Sequence, residues 1–452
     1  MKALYPFQKD GETFIRDREA TLLGDDMGLG KTVQALYASF FSPKETRIPR
    51  ILIVCLATAT GQWQGEIWDW LGVDSTILTS AQLSKQLLQL KEDRGAGVRI
   101  YIINWDALDK AVKLGLDKIK FEWIIADEAH FAKNRKAKRT KALKKLKTVR
   151  KIAATGTPFD GRPDELWSIL HWFDSKKYRS YWRFYEEYVS YIKIPPGYRK
   201  VLGPRNQEKL KEELAIYMIR RTKKEVLKEL PDKYYTTVEV ELRPEQQLQY
   251  EQMKVAMLAW LSEQKDELLI APTVLAQLTR LRQFAAATAY LNEEGKVQLK
   301  EPSAKLDALM DILLGASEPI VVFTQFVGLI GLASERLWNA GILHEIISGD
   351  TPITEREGTR LLFQEGKIPV LLVSLKAGGS SLNLQRSSTC IFLDKSWSPT
   401  TNVQAEDRLH RIGQKNAVQI ISIVAKGTVD EIIEDRLVLK KSWIKSILTE
   451  AY

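Results

Sequence analysis

The chain has few of the residues that cross-link small secreted domains or bind zinc. Among its 452 residues there are two cysteines and four histidines. Cys55 and Cys390 each lie within a short apolar run, which predicts two buried thiols that pack as small core residues. The number and placement of the cysteines exclude a disulfide framework and a structural zinc site.

Long apolar runs are also lacking. No run approaches the roughly 18 apolar residues that span a bilayer, and the first residues, Met1 to Pro6, contain no apolar signal core. Hydrophobic residues make up 44% and charged residues 27% of the chain, which excludes membrane-spanning and disordered classes. We therefore expect an intracellular, soluble monomer of a cytoplasm or a nucleus, with at least two hydrophobic cores.

The net charge of +10 is concentrated in one segment. Lys133 to Lys151 contains eleven lysines and arginines and no acidic residue, so the remainder of the chain is nearly neutral. Leu143, Leu146 and Val149 recur at helical spacing, which predicts a helix with one packed face. Two interpretations stay open: a solvated helix face that by chance resembles a nuclear-import signal, or a patch that binds nucleic-acid phosphates.

A glycine-rich loop follows the first apolar run. Ala20 to Leu23 precede the sequence D-D-M-G-L-G-K-T of Asp25 to Thr32, and a helix-like sequence continues from Val33. A strand, a loop and a helix in this order are typical of a phosphate-binding loop, because backbone N–H groups at a helix N-terminus attract phosphate. The strict pattern has glycine where this chain has Asp25.

The residues of this loop have complementary chemical properties. Gly28 and Gly30 would let the backbone curl around phosphates. Lys31 would reach the outer phosphates, and Thr32 would place a hydroxyl on magnesium. We interpret the loop as one half of an ATP site.

A second motif follows the apolar run from Phe121 to Ile125, which predicts a buried parallel strand. The motif reads D-E-A-H, from Asp127 to His130. Carboxylates at the ends of parallel strands line the ligand crevice of such folds. Asp127 would therefore hold magnesium, and Glu128 would orient and deprotonate the attacking water.

About 380 residues after the phosphate loop, the stretch from Gln404 to Gln414 reads Q-A-E-D-R-L-H-R-I-G-Q. Its arginines, Arg408 and Arg411, are three residues apart, which predicts that both lie on one helix face. Arginine stabilises the charge that develops on a transferring phosphoryl group. The stretch is therefore the candidate for the second half of the ATP site.

Apolar strands alternate with helical segments in two series, which predicts an α/β fold with two similar lobes built on parallel sheets. The first series has strands at 51–56, 100–103, 123–126 and 151–154. The second has strands at 320–323, 370–373, 389–393 and 418–424. Thr155, Gly156 and Thr157 directly follow the last strand of the first series.

Two segments of different amino-acid composition separate the two series of strands. Residues 167–191 are rich in aromatic side chains and residues 245–291 in Leu, Gln and Glu, which predicts helical insertions. The aromatic residues fit a base-stacking surface or a packed helical core, and their helical spacing favours the core.

The expected boundary between the lobes is at Pro231 and Asp232, because proline breaks the preceding helix. Lobe one is then predicted at 1–231, with a helical insertion at about 160–231. Lobe two is predicted at 232–452, with a helical insertion at about 243–300.

The order of these motifs resembles the Swi/Snf-type branch of the superfamily two helicase-like ATPases over nearly the whole chain. That branch has D-E-M-G-L-G-K-T as its phosphate loop, so an acid in place of glycine is a feature of the branch. The segment from Tyr217 to Val226, followed by Leu230 and Pro231, matches the branch's R-R-x-K-x-x-V block. The other matching segments are 5–8, 61–66, 322–326, 347–350 and 377–384.

Some positions depart from the branch's pattern. Asn104 and Trp105 stand where the branch has threonine and tyrosine, and Ser381 stands where it has glycine. Within the branch, segments 162–166 and 424–428 look most like the annealing-helicase subgroup and its compact bacterial or phage relatives.

The resemblance implies two tandem RecA-like lobes, with ATP and Mg²⁺ in the cleft between them. The nucleotide would contact Gln8, Asp26, Met27, Gly28, Leu29, Gly30, Lys31 and Thr32. The catalytic residues would be Lys31, Asp127, Glu128, Arg408 and Arg411, with Thr32 and Asp127 on magnesium. The residues that couple hydrolysis to movement would be Thr155, Gly156, Thr157 and Gln404. The contacts with DNA would come from Trp63, Asn104, Trp105, Gln325, Gly349, Ser374, Lys376 and Trp397.

The resemblance further implies an ATP-dependent translocase on double-stranded or forked DNA. Such an enzyme reads phosphates, so little base specificity and a strong salt dependence are expected. No segment resembles a strand-splitting hairpin. No accessory module is expected either, and a loading partner, if there is one, is not identified.

Two alternative functions stay open. An RNA or single-strand helicase of the wider superfamily should have H-R-x-G-R-x-x-R in place of the 404–414 sequence. A non-enzymatic DNA clamp or scaffold should have lost Lys31, Glu128 or an arginine finger, and all of these residues are present.

Overall fold

The structure is a computed structural model that describes residues 3–41, 49–92, 99–194, 198–263, 271–293, 296–378 and 382–448. The chain divides into two compact units. The first consists of Met1–Lys228 with Lys440–Tyr452, and the second of Glu229–Leu439. The division falls close to the boundary expected at Pro231 and Asp232. It differs from the expected lobes at the C-terminus, because the last residues group with the first unit.

A parallel sheet forms the centre of the first unit. The strands of this unit are β1 (Ala20–Leu23), β2 (Ile51–Cys55), β3 (Thr76–Leu78), β4 (Ile100–Asn104), β5 (Lys120–Asp127), β6 (Lys147–Ala154), β7 (Val189–Ile194), β8 (Tyr198–Pro204) and β9 (Met218–Ile219). Within the described residues the sheet has seven strands in the order β3-β4-β2-β5-β6-β1-β9, all paired in parallel. Strands β7 and β8 form a separate antiparallel pair.

Helices follow most of these strands, as expected for crossover connections between parallel strands. The helices of the first unit are α1 (Pro6–Arg16), α2 (Lys31–Phe40), α3 (Thr60–Leu71), α4 (Leu83–Glu92), α5 (Leu108–Lys113), α6 (Lys138–Lys145), α7 (Trp167–Phe173), α8 (Tyr181–Tyr188), α9 (Gln207–Ala215) and α10 (Lys223–Val226).

The central strands of this sheet are apolar on both faces because both faces are covered. All five residues of β2 are buried. Leu52 and Val54 belong to one hydrophobic core, whereas Ile51 and Ile53 belong to another. Alternate residues of a strand point to opposite faces, so the two cores lie on the two sides of the sheet.

The second unit is also built on a parallel sheet. Its strands are β10 (Lys233–Val240), β11 (Thr288–Leu291), β12 (Val297–Lys300), β13 (Ile320–Thr324), β14 (His344–Ile347), β15 (Val370–Ser374), β16 (Thr389–Phe392) and β17 (Val418–Ala425). In the part of the chain that the structure describes, six of them form a parallel sheet in the order β10-β17-β16-β13-β15-β14, and β11 and β12 form an antiparallel pair.

The helices of the second unit begin with the long insertion helices and end with the C-terminal helix, whose residues from Lys440 onward group with the first unit. They are α11 (Pro244–Glu263), α12 (Ala271–Ala286), α13 (Ala304–Leu314), α14 (Val327–Asn339), α15 (Ile353–Gln364), α16 (Leu375–Gly378), α17 (Pro399–Glu406) and α18 (Val429–Leu448). Val322 and Val321 of β13 lie in two different cores, so this sheet is also covered on both faces. The predicted α/β fold with two parallel-sheet lobes is confirmed.

The basic segment Lys133 to Lys151 is only partly the predicted helix. Helix α6 ends at Lys145, and the chain then enters β6. Leu143 is buried on the helix as expected, but Val149 lies on the strand and is 47% exposed. The prediction of one continuous helical face was wrong. The apolar residues keep a helical spacing past Lys145, but the helix ends there and no residue type in the sequence signals that end.

The aromatic insertion packs mainly as a core. Trp172, Tyr185 and Tyr188 are buried, whereas Trp182 is 53% exposed. The packed core favoured by the spacing is therefore confirmed for most of these residues. The two insertions are not purely helical, however, because each contains a β-hairpin.

Other sequence expectations concern thiols and membranes. Cys55 and Cys390 are free and buried, as predicted, and burial raises the pKa of both thiols well above the usual range. No helix in the described ranges is long and apolar enough to cross a membrane. The part of the 377–384 block at 379–381, which includes Ser381, lies outside the described residues.

Candidate active site

The phosphate loop joins β1 to α2 and has the backbone shape that its glycines predict. Gly28 has φ +83° and Gly30 φ +74°, a left-handed conformation that costs other residues energy. A Cβ atom at Gly30 would lie 2.3 Å from Nε2 of Gln8. Glycine at position 30 is therefore required both by the backbone conformation and by the close approach of Gln8.

Lys31 begins α2 and turns back over the loop. Its Nζ donates hydrogen bonds to the carbonyl oxygens of Asp25 at 2.7 Å and Asp26 at 3.1 Å. Both partners are neutral carbonyls, so the positive charge of Lys31 is not neutralised by them. Thr32 follows at the first turn of α2 and is partly exposed. The loop thus holds an ammonium group and a hydroxyl at one helix N-terminus.

Gln8 lies on α1 and is 5% exposed. Its Oε1 accepts a hydrogen bond from the backbone N–H of Tyr5 at 3.0 Å, and its Nε2 donates to the carbonyl oxygen of Leu29 at 3.3 Å. The amide is therefore bonded directly to the phosphate loop. A primary amide can both donate and accept, which suits recognition of an adenine edge.

Asp25, the acid in place of the expected glycine, is completely buried. Arg221 holds it with two side-chain groups, Nε at 3.0 Å from Oδ1 and Nη2 at 2.5 Å from Oδ2. The backbone N–H of Arg221 donates to Oδ1 as well, at 3.0 Å. A buried carboxylate needs a partner of this kind, so the acid in the loop is paired with an arginine of the R-R-x-K-x-x-V block.

This ion pair belongs to a buried polar network. Nη2 of Arg221 donates to Oε1 of Gln34 at 2.7 Å, and Nη1 donates to the carbonyl oxygen of Phe7. Nε2 of Gln34 donates to Asp25 Oδ2 at 3.0 Å. A Cβ at Gly11 would lie 1.8 Å from Oε1 of Gln34. Gly11 thus lets α1 approach α2 closely enough to complete the network.

The neighbouring pair, Asp26 and Arg220, links the loop to the T-G-T segment. Nη2 of Arg220 lies 3.1 Å from Oδ1 of Asp26. Nη1 donates to the carbonyl oxygens of Gly24 at 2.6 Å and Gly156 at 2.9 Å. One guanidinium therefore bridges the phosphate loop and the segment that was predicted to couple hydrolysis to movement.

The T-G-T segment also contacts the D-E-A-H motif. Thr155 is completely buried, and its Oγ1 lies 3.2 Å from Nδ1 of His130. Its Oγ1 also accepts from the backbone N–H of Thr157 at 3.2 Å. A Cβ at Gly156 would meet the carbonyl oxygen of Asp25 at 3.2 Å. The T-G-T segment is therefore packed between the D-E-A-H motif and the phosphate loop.

Two tryptophans hold Asp127 at the end of β5. Nε1 of Trp63 donates to Oδ2 of Asp127 at 2.8 Å, and Nε1 of Trp105 donates to its carbonyl oxygen at 3.0 Å. Both indoles are buried, at 3% and 1% exposure. Trp63 and Trp105 therefore position Asp127, and a direct DNA contact by either residue stays a prediction.

The electrostatic environment of Asp127 favours its neutral form. The pKa of this carboxyl is raised from 3.8 to about 6, mainly by burial and next by the charge of Glu128. The hydrogen bond from Trp63 and the charge of Lys31 oppose these effects and lower the pKa. Because Lys31 acts on Asp127 electrostatically, the structure brings these two predicted catalytic residues into one site.

Glu128 has a backbone conformation that is uncommon for a residue with a side chain. Its φ of +46° lies in the left-handed region, which stores strain that is often found at functional sites. Its Oε2 lies 3.2 Å from Nδ1 of His130. The carboxylate is thus turned toward a group that can share or accept a proton.

The donor set fits magnesium. Mg²⁺ prefers oxygen ligands and retains several waters, and Thr32 and Asp127 supply one hydroxyl and one carboxylate. Among the described residues no cluster of three or more His, Cys, Asp or Glu residues could hold a metal by itself. A cation that also binds substrate phosphates therefore fits this site better than one held by protein ligands alone.

The two arginines of the 404–414 stretch lie in the second unit but not on one helix face. Helix α17 ends at Glu406, and the N–H of Arg411 donates to the carbonyl oxygen of Leu409 at 3.2 Å, a non-helical spacing. The carbonyl oxygen of Arg408 accepts from the N–H of Leu384 at 3.0 Å. The helical prediction for Arg408 and Arg411 was wrong, since the chain leaves the helix before reaching them.

The turn that carries these arginines is anchored by an ion cluster. Nζ of Lys233 lies 3.1 Å from Oε2 of Glu406 and 2.9 Å from Oδ1 of Asp407. The hydroxyl of Tyr235 donates to the same Glu406 oxygen at 3.0 Å. Nε2 of His410 donates to the carbonyl oxygen of Pro231 at 2.7 Å. The start of β10 therefore fixes the arginine turn.

Gln325, Asn104 and Ser374, which were predicted to contact DNA, make local hydrogen bonds. Nε2 of Gln325 donates to Oδ1 of Asp394 at 2.9 Å and to the carbonyl oxygen of Lys395 at 2.8 Å. The side chains of Asn104 and Ser374 each accept from a backbone N–H three residues ahead. These bonds position strand ends, and a DNA role for the three residues stays a prediction.

The remaining predicted contacts differ in exposure. Gly349 and Lys376 are exposed, whereas Trp397 and Gln404 are partly buried. A Cβ at Gly349 would meet no atom within 4 Å, so the backbone there is open to a ligand. Gly349 and Lys376 therefore remain the most accessible of the predicted DNA contacts in this unit.

Several functional residues were not identified from the sequence. The most important are Gln34, Arg220, Arg221 and Lys233. The signal for the arginines was present, because two acids in the phosphate loop and two arginines in a later block have complementary charges. Pairing them required knowledge that β9 joins β1 in the sheet.

Comparison with known proteins agrees with the arrangement of the motifs. The sequence matches the SNF2-related domain over residues 7–289 and the helicase conserved C-terminal domain over residues 304–413. The chain belongs to the SNF2-related family. The resemblance to Swi/Snf-type ATPases found in the motifs is thereby confirmed.

Relatives in this SNF2-related family include bacterial proteins. An uncharacterized ATP-dependent helicase, MG018, of Mycoplasma genitalium is 30% identical over 457 residues, which cover 99% of this chain and 42% of that protein. A putative ATP-dependent helicase/translocase, YwqA, of Bacillus subtilis is 29% identical over 481 residues, 99% of this chain and 50% of that protein. This SNF2-related chain therefore spans half or less of the length of these relatives.

Among solved structures, the Sulfolobus solfataricus SWI2/SNF2 ATPase core in complex with dsDNA is 26% identical to this SNF2-related chain. The alignment covers 99% of this chain and 93% of that chain, with a TM-score of 0.47.

Proposed function

We propose that this SNF2-related protein hydrolyses ATP to ADP and phosphate and uses the energy to move along double-stranded or branched DNA, with little base specificity. The observation that carries the proposal is the convergence of Lys31, Asp127 and Glu128 beside a phosphate loop whose two glycines are left-handed. A scaffold protein has no need of a strained acid beside a buried carboxylate.

The nucleotide is bound by the first unit. Gln8 reads the adenine, and the loop from Asp26 to Thr32 surrounds the phosphates with backbone N–H groups. Lys31 moves from its carbonyl partners to the outer phosphates. Thr32 and Asp127 hold Mg²⁺, which when bound neutralises the charge that develops on the phosphate oxygens.

Glu128 orients the attacking water and takes its proton. His130, whose Nδ1 lies within 3.2 Å of Oε2 of Glu128 and of Oγ1 of Thr155, connects this base to the T-G-T segment. A change at the hydrolysis site therefore reaches Thr155 and Gly156 through two contacts. Arg408 and Arg411 act as arginine fingers that stabilise the transition state.

DNA is the favoured polymer for two reasons. One relative, from Danio rerio, is named chromodomain-helicase-DNA-binding protein 8, and the 404–414 sequence lacks the glycine-rich form expected of RNA and single-strand helicases. Asn104, Gln325, Gly349, Ser374 and Lys376 are the proposed contacts, with Trp397 beside them. Contacts with phosphates carry no sequence information, so the motor works on any sequence.

The deciding experiment measures ATP hydrolysis with magnesium, alone and with duplex DNA, forked DNA, single-stranded DNA or RNA. We expect duplex or forked DNA to stimulate turnover most. The matched control is Glu128→Gln, which keeps the size of the side chain and removes the base. Its turnover should fall about 100-fold or more, while ATP binding persists.

Each other outcome identifies a different function. Stimulation by RNA alone would place the protein with the wider helicase group. Equal turnover in the wild type and Glu128→Gln would show that the hydrolysis comes from a contaminant. DNA binding without turnover under any condition would support the clamp or scaffold alternative.

A further inference from the structure

A basic cleft lies directly behind the D-E-A-H motif in the first unit. It has a volume of about 490 Å³ and lies between α5 and α6. Lys110 and Lys113 line it from α5, and Lys138 and Arg139 line it from the first turn of α6. None of these four cationic residues belongs to the proposed ATP site.

The cleft keeps a positive charge despite two acids in its lining, Asp106 and Asp109. Lys113 pairs with Asp109 at 2.7 Å. Lys110 donates instead to the carbonyl oxygen of Ser80 at 3.0 Å, a neutral partner that leaves its charge available. The hydrogen bond from Lys113, together with the charges of Lys113, Lys138 and Lys145, lowers the pKa of Asp109.

Both walls of the cleft are hydrogen-bonded to the catalytic turn. Trp105, which also lines the cleft, donates from Nε1 to the carbonyl oxygen of Asp127 at 3.0 Å. Arg139 donates from Nε to the carbonyl oxygen of Phe131 at 2.9 Å. The N–H of Phe131 in turn donates to the carbonyl oxygen of Glu128 at 2.9 Å. A ligand in the cleft therefore touches Trp105, which is one hydrogen bond from the backbone of Asp127, and Arg139, which is two hydrogen bonds from the backbone of Glu128.

We propose that this cleft binds backbone phosphates of duplex DNA, and that Trp105 and Arg139 transmit its occupancy to Asp127 and Glu128. The inference rests on the proposed function and names a contact surface for its DNA. Duplex DNA carries one negative charge for about each 1.7 Å of its axis, so its phosphates are attracted to a lining in which four cations outnumber two acids. Trp105 is then a positioning residue and does not itself grip the DNA.

The binding arm of the test uses charge reversal. The cleft variant carries Lys110→Glu, Lys113→Glu and Lys138→Glu. The matched control carries Lys136→Glu, Lys141→Glu and Lys147→Glu, three exposed lysines of the same basic segment that do not line the cleft. Both variants change the net charge equally, so long-range electrostatics affect them alike.

Duplex affinity is measured by fluorescence anisotropy at several salt concentrations. The cleft variant should bind about tenfold or more weaker than the control variant, with a salt slope smaller by about 2 to 3, since each lost phosphate contact removes about 0.9. Equal affinities of the two variants would overturn the binding proposal. A cleft variant that loses duplex DNA binding but keeps duplex RNA binding would also overturn the proposal, because a phosphate site should affect both polymers.

The transmission arm compares two tryptophans that donate to the same residue. Trp105→Phe removes the hydrogen bond to the Asp127 carbonyl, whereas Trp63→Phe removes the bond to its carboxylate and does not line the cleft. Trp105→Phe should lower the ratio of DNA-stimulated to DNA-free hydrolysis at unchanged duplex affinity. Trp63→Phe should lower both rates and keep the ratio.

The two proposals fail separately. Equal ratios for Trp105→Phe and Trp63→Phe would show that the cleft does not signal to the catalytic turn. A wild-type protein that hydrolyses no ATP would contradict the proposed function and the transmission step together. The affinities of the two charge-reversal variants would still decide whether the cleft is a DNA site.

Discussion

The carboxylate of Asp25 and the guanidinium of Arg221 form a two-pronged ion pair across 196 positions of sequence. Asp25 is completely buried, and the side chain of Arg221 is 14% exposed. The pair joins the phosphate loop to strand β9 at the end of the first unit's sheet. It gives a physical reason for an acid at a position where other phosphate loops have glycine.

Replacing Arg221 with methionine should destabilise the first unit strongly. The variant leaves a buried carboxylate without its partner, which costs about 3–5 kcal/mol. The free energy of unfolding in urea measures this loss. Arg221→Lys keeps the positive charge but cannot make both guanidinium hydrogen bonds to Asp25, so it should reduce the free energy of unfolding by less than Arg221→Met.

A double-mutant cycle tests the pairing itself. Asp25→Asn removes the charge on the other side, and Asp25→Asn with Arg221→Met should recover much of the loss, since neither charge is then buried alone. If the two single losses simply add, the two side chains are not energetically coupled and the account of the acid is wrong.

Glycine 30 and glycine 65 should respond in opposite ways to alanine. Gly30→Ala places a Cβ 2.3 Å from Nε2 of Gln8 in a left-handed backbone, so both stability and ATP affinity should fall. Gly65 lies inside α3 with no atom within 4 Å of its Cβ position. Gly65→Ala should raise the free energy of unfolding by about 0.5–1 kcal/mol. Thermal unfolding and nucleotide titration measure the two effects, and equal responses would contradict the loop geometry.

The raised pKa of Asp127 makes a prediction about pH and magnesium. The pKa of Asp127 is 3.8 in the unfolded chain and about 6 in the folded protein. The folded protein therefore binds the proton more tightly, and this contribution to the free energy of unfolding is fully present below pH 3.8. That contribution is lost as the pH rises to about 6, and it amounts to on the order of 2–3 kcal/mol. Without magnesium, the wild type should therefore lose stability between about pH 4 and 6 relative to Asp127→Asn.

Magnesium should reverse this difference. The cation favours the charged carboxylate, so it should raise the unfolding temperature of the wild type above pH 6 and not that of Asp127→Asn. Bound magnesium also lowers the pKa of Asp127 below its metal-free value of about 6, so ATP hydrolysis should fall only at a more acidic pH, where the protonated group cannot hold the metal. Parallel stability curves for the two proteins would refute the assigned pKa shift.

Lys233 should affect turnover through the arginine turn. Lys233→Met leaves Glu406 and Asp407 without their shared cation, which displaces the turn that carries Arg408 and lowers kcat about tenfold or more, within the range of an arginine finger. The KM for ATP should change little, and Lys233→Arg should retain most of the activity.

Tyr235→Phe is the matched control for Lys233. It removes one hydrogen bond to the same Glu406 oxygen and leaves the ion pairs in place, so its kcat should stay close to the wild-type value. Comparable losses in Lys233→Met and Tyr235→Phe would mean that general destabilisation of β10, and not the position of the turn, controls the rate.

The strands of both sheets were predictable because they are short, buried and apolar on two faces. The run from 51 to 56 and the run from 320 to 323 differ from β2 and β13 by a single residue at one end. Strands without that signature escaped prediction. β9 has two residues, and β10, at the edge of its sheet, has only exposed and partly buried side chains.

The two wrong helical predictions share one cause. Helical spacing was read across a chain reversal after Lys145 and after Glu406, where only tertiary contacts end the helix. Trp63 and Trp105 carry no local mark that distinguishes an indole that orients a carboxylate from one that meets DNA. Their role became visible only in the folded chain, where α3 and the end of β4 lie close to the end of β5.

The sequence by itself determined the two-lobe α/β fold, the family and the phosphate loop, since these depend on apolar periodicity and on glycines whose backbone freedom is local. The tertiary structure decided what Asp25 pairs with, what orients Asp127 and where Arg408 lies. Each of these depends on a hydrogen bond between segments far apart in the chain, and such a bond forms only after the strands that carry its partners have become neighbours.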